Sequence, residues 1–222
     1  VQLFEVLNTP ADKRSKYLNP SLAAFPYTNG GLFAEDIDIP QFTDELRDTL
    51  LQHASLDFDW SEISPTIFGG VFESTLNPET RRSGGMHYTS IENIHKVIDP
   101  LFYNDLRTAF EDCLEESNIK KRMQQLHALQ DKMAELRFFD SACGSGNFLT
   151  ETYLSLRRLE NEIIKQIYSV EQLNAFENPI KVNIHQFYGI EINDFAVTVA
   201  TTALWISEAQ MMAETEKIIH HD

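Results

Sequence analysis

Cysteine is scarce in this chain: among 222 residues there are two, Cys113 and Cys143. Two thiols cannot build a disulfide framework or a four-ligand zinc site, and they fit a reducing, cytoplasmic setting. No run of about 18 apolar residues occurs, so no membrane-spanning helix is expected. The first residues, VQLFEVLNTPADKRSK, carry neither an initiating Met nor a signal-peptide core, so the chain reads as a piece of something longer. Positive charge is also short. Against 34 Asp and Glu stand 18 Lys and Arg, a formal net charge of −16. A field of that sign repels nucleic-acid phosphates at long range. Lys120, Lys121 and Arg122 form a short basic run that reads as a solvated helix face. No Gly-Lys-Ser/Thr loop for a nucleoside triphosphate is present, and no internal repeat or low-complexity tract.

What is there suggests a soluble globular protein, with 42% apolar and 11% aromatic residues. Residues 1–20 suggest a helix end and a turn, and FPYTNGGLF (25–33) a packed loop or short hairpin. Leu46, Leu50 and Leu51 lie at helical spacing behind Thr43, a candidate N-cap. Ile67, Val71 and Phe72 share a helical face despite Gly69 and Gly70, and 77–90 reads as a loop. Thr89 and Glu92 have capping-box spacing ahead of the stripe Ile91, Ile94, Val97 and Ile98. Asp99-Pro100 is expected to stop that helix and start another. Helices follow over 101–117 and 119–135. LRFFD (136–140) is a buried strand. Residues 148–168 form a helix with Phe148, Leu149, Tyr153, Leu156, Leu159, Ile163 and Ile167 on one side. A second strand spans 182–192, and Asp194 caps a last helix running from Phe195 to about Ala213, with Trp205 in the core. The fold class is α/β, mainly helical: a helical first half, then the start of a doubly wound parallel sheet.

The chemistry concentrates at FFDSACGSGNFL, 138–149. Asp140 ends a strand, and Gly144 and Gly146 precede a helix. That places them at the carboxyl edge of the sheet, where open α/β folds bind ligands. Glycines there let ligand atoms approach the main chain, whose N–H groups become donors. A dinucleotide is disfavoured. Position 149 is Leu where a third glycine would stand, and Glu191 follows Gly144 by more than forty residues, against the ~20 expected. An acid at the mouth of the first strand repels a pyrophosphate but suits a cationic amine. Glu191, ending the second strand, suits ribose hydroxyls. An amine, a ribose and a base without phosphate describe S-adenosylmethionine.

DSACGSGNFL resembles the Asp-Pro-Ala-Cys-Gly-Ser-Gly-x-Phe-Leu signature of adenine-N6 DNA methyltransferases, with Ser141 where Pro is usual. GMHYTS (85–90) resembles that family's cofactor segment before the first strand. YGIEINDFAVTVATTALWI resembles its second-strand acid and the helix after it. NGGLF and FGGVFES resemble the helical spacer of MmeI-like (type IIG/IIL) single-chain restriction–modification enzymes. The resemblance spans about residues 25 to 210. It implies a helical spacer over 1–76, followed over 77–222 by the first part of a class I, Rossmann-like, S-adenosylmethionine-dependent methyltransferase domain. By the same resemblance Asp140 holds the methionine amine, and the backbone of Ala142, Cys143, Gly144 and Gly146 lines the cofactor. Glu191 takes the ribose hydroxyls, Ile192 packs on adenine, and His87, Tyr88 and Thr89 reach the methionine end. A helix N-terminus beside Thr89 also suits a carboxylate on physical grounds.

Plainer roles also fit the same residues. Asp140 alone could cap the following helix. Cys143 reads as a small loop residue rather than a nucleophile. His87 has no ligand partner at metal spacing, Glu73 and Glu79 make no metal constellation, and His220 and His221 read as a tail. No metal is expected. Adenine-N6 transfer needs an Asn-Pro-Pro-aromatic tetrad to accept from the flipped base. Asn19-Pro20, Asn77-Pro78 and Asn178-Pro179 do not supply it, so no catalytic residue is assigned and these residues alone are expected to transfer no methyl. AETEK (213–217) sets Glu214 and Glu216 near Lys217, but without the spacing or the upstream acid of a nuclease centre. Alternatives are an RNA or protein methyltransferase, or a non-catalytic scaffold. Duplex DNA is expected to be held by other parts of a longer protein. Counterion release needs clustered cations. Fluorescence anisotropy with this chain at physiological salt is therefore expected to show weak DNA binding or none. A micromolar, strongly salt-dependent Kd would contradict that reading of the charge.

Overall fold

The computed structural model describes residues 5–7, 9–23, 42–57, 63–67, 70–71, 89–169 and 178–220. The chain divides into two compact units, Val1–Trp60 and Ser61–Asp222. In the first, Arg14 gathers backbone carbonyls: Nε donates to Thr9 and the terminal nitrogens to Val6 and Ala23. Helix α1 (Pro20–Ala23) is a single turn. Helix α2 (Asp44–Leu51) starts at Thr43, whose hydroxyl accepts the Leu46 N–H as the sequence suggests, and runs on as a π turn, Gln52–Leu56. The NGGLF segment lies outside the described residues, as do Phe72 and residues 77–88.

The two strands among the described residues lie in the second unit. Helix α3 (Ile91–Ile98) is capped by Ser90, not Thr89: the Ser90 hydroxyl accepts the Asn93 N–H. The helix starts one residue later than expected, so Glu92 is too early to complete a capping box. Asp99-Pro100 does not stop it either. A π turn, Asp99–Tyr103, leads directly into α4 (Asn104–Glu115). The wider i→i+5 pattern, with Asn104 N–H reaching the Asp99 carbonyl, accommodates a proline that lacks its own N–H. Asn118 caps α5 (Ile119–Glu135).

Strand β1 (Phe138–Asp140), helix α6 (Asn147–Tyr168) and strand β2 (Phe187–Gly189) make a parallel β–α–β unit. Phe138 pairs with Phe187, Phe139 with Tyr188 and Asp140 with Gly189. Phe138 and Phe187 stack inward with ring centroids 5.1 Å apart, and Tyr153 of α6 meets Phe187 edge-on at 5.5 Å. β2 is shorter than the expected 182–192. Asn183 caps a single 3-10 turn, Ile184–Gln186, its side chain accepting the His185 N–H while Gln186 accepts the Asn183 N–H. The Gln186 amide also donates to the Met133 and Leu136 carbonyls, satisfying the C-terminal end of α5 just before β1. Helix α7 (Asp194–His220) is capped by Asn193, which accepts the Ala196 N–H, and runs past Ala213. Trp205 is half-buried.

Helix α6 is buried on nearly every side, where the sequence suggests one apolar stripe. Its buried charged residues are paired. Arg157 and Glu160, both fully buried, form an ion pair. Arg157 also donates to Thr215 Oγ1 and the Met211 carbonyl on α7. Glu160 accepts from Gln130 on α5 and from the backbone N–H groups of Lys181 and Val182, which lead into β2. Removing one member of a buried pair leaves the other charge desolvated and uncompensated, at about 3–5 kcal/mol. Glu160→Ala is expected to lose that much in urea unfolding of this chain. Arg107→Ala, which breaks the exposed pair with Glu162, should lose about 0–1 kcal/mol. Equal losses would show that Glu160 does not organise the unit.

Candidate ligand site at the edge of the sheet

β1 and β2 end side by side, and their ladder continues into the loops. Ile190 N–H donates to the Asp140 carbonyl at 2.9 Å, and Cys143 N–H to the Ile190 carbonyl at 3.0 Å. This extension brings the β1–α6 turn against the end of β2. Asp140 Oδ1 accepts the Ala142 N–H at 3.0 Å. Glu191 reaches across, its Oε2 accepting the Gly144 N–H at 2.9 Å and its Oε1 the Ile192 and Asn193 N–H groups at 2.8 and 3.0 Å. Gly146 N–H closes the turn onto the Cys143 carbonyl at 2.8 Å.

The N–H groups of Ala142, Cys143, Gly144 and Gly146 therefore all have partners within the protein. The sequence suggests such groups as donors to a ligand; here each is bonded within the protein. A phosphate-binding turn works through unpaired N–H groups. This one holds its shape internally and presents two carboxylates. Their field is felt locally: burial pushes the Cys143 thiol pKa up, and the charges of Asp140 and Glu191 push it further. Cys143 stays protonated at neutral pH, which suits a loop residue and not a nucleophile.

The two turn glycines have different tasks. Gly144, at φ +54°, has no heavy atom within 4 Å of where a Cβ would stand, so the backbone there is open to a ligand. Gly146, at φ +78°, has its Cβ position 2.7 Å from Ala200 Cβ, so its missing side chain admits α7. Gly189 plays a related part in β2, with its Cβ position 2.7 Å from Cys143 Sγ. Ile192 is 91% exposed beside Glu191, and Thr89 lies just ahead of the Ser90 cap of α3. His87 and Tyr88 lie outside the described residues. Among the described residues no group of His, Cys, Asp and Glu is arranged to hold a metal ion. No helix there is long and apolar enough to cross a membrane.

Sequence reasoning missed Glu191 as the acceptor that fixes the glycine turn. Its position at a strand end was visible, but its carboxylate meets Gly144 only through the parallel register. Gly146→Ala combines left-handed strain of about 1–2 kcal/mol with a collision of about 1–3 kcal/mol, whereas Gly144→Ala meets the strain alone. Urea unfolding is expected to rank Gly146→Ala as clearly the more damaging. Equal effects would mean that α7 does not press on the turn.

Residues 115–221 match the family described as the MmeI DNA-methyltransferase domain. DNA methyltransferase A of Bacillus subtilis is 40% identical over 221 residues, covering 99% of this chain and 24% of that protein. A putative type II restriction enzyme and methyltransferase of Methanocaldococcus jannaschii is 27% identical, over 92% of this chain and 20% of its own length. The solved structure of the type IIL restriction-modification enzyme MmeI in complex with DNA superposes with a TM-score of 0.77 at 42% identity, covering 98% of this chain and 28% of that one. The chain thus spans about a quarter of the length of these relatives. By the family match, residues 115–221 belong to the MmeI DNA-methyltransferase family, and nearly all of the chain is similar to these methyltransferase and restriction–modification proteins.

Proposed function

We propose that residues 77–222 form the S-adenosylmethionine-binding part of a Rossmann-like methyltransferase domain, preceded by a helical spacer over 1–76. The longer protein would methylate the N6 of adenine in duplex DNA as part of a restriction–modification system. The observation that carries the cofactor reading is the convergence of Asp140 and Glu191 on a glycine turn in which the N–H groups of Ala142, Cys143, Gly144 and Gly146 are already bonded. Such a site repels phosphate and favours a cation with hydroxyls. The residues fit the cofactor. Gly144 leaves its backbone open, and Asp140 keeps an oxygen beyond the Ala142 bond for the methionine amine. Glu191 accepts three N–H groups, and a carboxylate has about four lone-pair sites, so one position remains for a ribose hydroxyl. Ile192 offers an uncovered apolar side chain for adenine, and His87, Tyr88 and Thr89 would stand at the methionine end. When bound, the cofactor supplies an electrophilic methyl group on sulfur. These residues would hold and orient it; none acts on the adenine.

The outer face of the sheet supports a larger domain. Phe139 and Tyr188 are 64% and 51% exposed, yet parallel sheets are normally covered on both faces. Further layers of the longer protein would cover them and contribute the Asn-Pro-Pro-aromatic tetrad. The duplex-DNA reading is supported by the likeness to MmeI, whose structure was solved with DNA.

A charge-assisted hydrogen bond in a partly desolvated site contributes about 1.5–3 kcal/mol, which is roughly ten- to a hundredfold in affinity. Asp140→Ala in the full-length protein is expected to lose that much cofactor affinity by titration calorimetry, Glu191→Ala a similar or slightly smaller share, and Cys143→Ala little. Loss of binding in Cys143→Ala with Asp140→Ala intact would overturn these assignments.

A further inference from the structure

His95 lies on α3 between two carboxylates. Its Nδ1 is 2.8 Å from Asp99 Oδ1 in the π turn, and its Nε2 is 3.3 Å from Glu151 Oε1 on α6. The Glu151 side chain is only 3% exposed. Its other oxygen accepts the Thr66 hydroxyl at 3.1 Å, and Arg158 stands 3.7 Å away. Tyr103 meets the imidazole edge-on, with ring centroids 6.5 Å apart. Among the described residues, the titratable and charged groups facing His95 are therefore Asp99 and Tyr103 from the π turn, with Glu151 and Arg158 from α6. A neutral imidazole donates from one nitrogen, so the other would turn a lone pair toward a carboxylate; the imidazolium donates from both.

The placement of α3 gives this arrangement a consequence. Its apolar side, Ile94 and Ile98, is buried, and His95 supplies a polar tie to α6. Glu151 lies on α6 five residues after Gly146, about one turn beyond the glycine turn. At the other end of α3 are Ser90 and Thr89, following His87 and Tyr88. His95 thus joins the two segments that the proposed cofactor site requires to stand together.

We propose that His95, clasped between Asp99 and Glu151, is a positioning residue that holds α3 on α6 and makes cofactor affinity fall as pH rises. The inference rests on the cofactor reading above for its second half; the clasp itself does not. Burial lowers the His95 pKa, but the hydrogen bonds and charges of Asp99 and Glu151 outweigh it, and the net direction is upward. The contribution of a raised histidine is fully present below its unfolded value of about 6.5, and is lost as pH rises through the folded value.

The test uses the full-length protein, as wild type, His95→Gln and Asp99→Asn, from about pH 6 to about pH 9. Hydrogen exchange of peptides covering 91–98, corrected for intrinsic rates, reads the clasp. Calorimetry with S-adenosylhomocysteine reads the site. In the wild type, α3 protection and affinity are expected to fall together with rising pH, by up to about tenfold for each unit of raised pKa. His95→Gln should show no such fall in α3 protection, and in affinity only the fall that titration of the ligand's own amine imposes on every variant. Asp99→Asn should move the midpoint to lower pH, a shift that a purely structural role would not produce. Identical α3 exchange in wild type and His95→Gln at every pH overturns the clasp. A pH-dependent α3 with an affinity profile no different from that of His95→Gln overturns its link to the site. If the wild type binds no S-adenosylhomocysteine at any pH, the cofactor reading fails and the link with it, while the exchange data still decide the clasp.

Discussion

The second unit depends on one buried carboxylate. Glu160 neutralises Arg157 within α6 and accepts from Gln130 on α5 and from the main chain at Lys181 and Val182. Arg157 carries the network on to Thr215 and Met211 of α7. Four pieces of chain are thereby fixed to a common axis. Two consequences reach the site. The strap at 181–182 sets where β2 runs, so β2 lies in register beside β1. Anchoring α7 helps place Ala200 against Gly146. Buried ion pairs add little net stability over an apolar core. Here the geometry they specify matters, because β1 and β2 must end level for Glu191 to reach Gly144.

The turn that results differs from a phosphate loop in its hydrogen bonding. Both begin with a strand, glycines and a helix. A phosphate loop leaves its N–H groups to the ligand, whereas here Asp140, Ile190, Glu191 and Cys143 use those of Ala142, Cys143, Gly144 and Gly146. What remains for a ligand is an open backbone at Gly144 and carboxylate oxygens around it. On the proposed reading a cationic, hydroxyl-bearing ligand matches that surface, and an anion does not. The two glycines, separated by one serine, divide between an open backbone and helix packing.

Much of this was legible in the sequence. The alternation of strand, glycine turn and helix placed β1, α6 and β2, and the strand-end positions of Asp140 and Glu191 singled out both acids. Local rules erred by a residue where two polar candidates adjoin, as with Thr89 against Ser90 and Asp194 against Asn193. The Asp99-Pro100 break failed because a π turn tolerates a missing N–H. Helix α6 was misread for a different reason. Pattern analysis sends Arg157, Glu160 and Asn161 to solvent, yet their partners at 130, 181, 182 and 215 come from distant parts of the chain. The same holds for His95 and Glu151, more than fifty residues apart, whose meeting follows only from the docking of α3 on α6.

The central claim is that the edge of the sheet selects charge: it accepts an amine and a ribose and rejects phosphate. Competition binding on the full-length protein tests this most directly, with labelled S-adenosylhomocysteine against unlabelled S-adenosylhomocysteine, ATP and NAD. The account predicts saturable binding that unlabelled S-adenosylhomocysteine displaces and the two phosphate-bearing ligands leave in place at equal concentration. Displacement by ATP or NAD as effective as by S-adenosylhomocysteine would contradict it, because the turn would then be binding the anion that its bonded N–H groups and paired carboxylates should exclude.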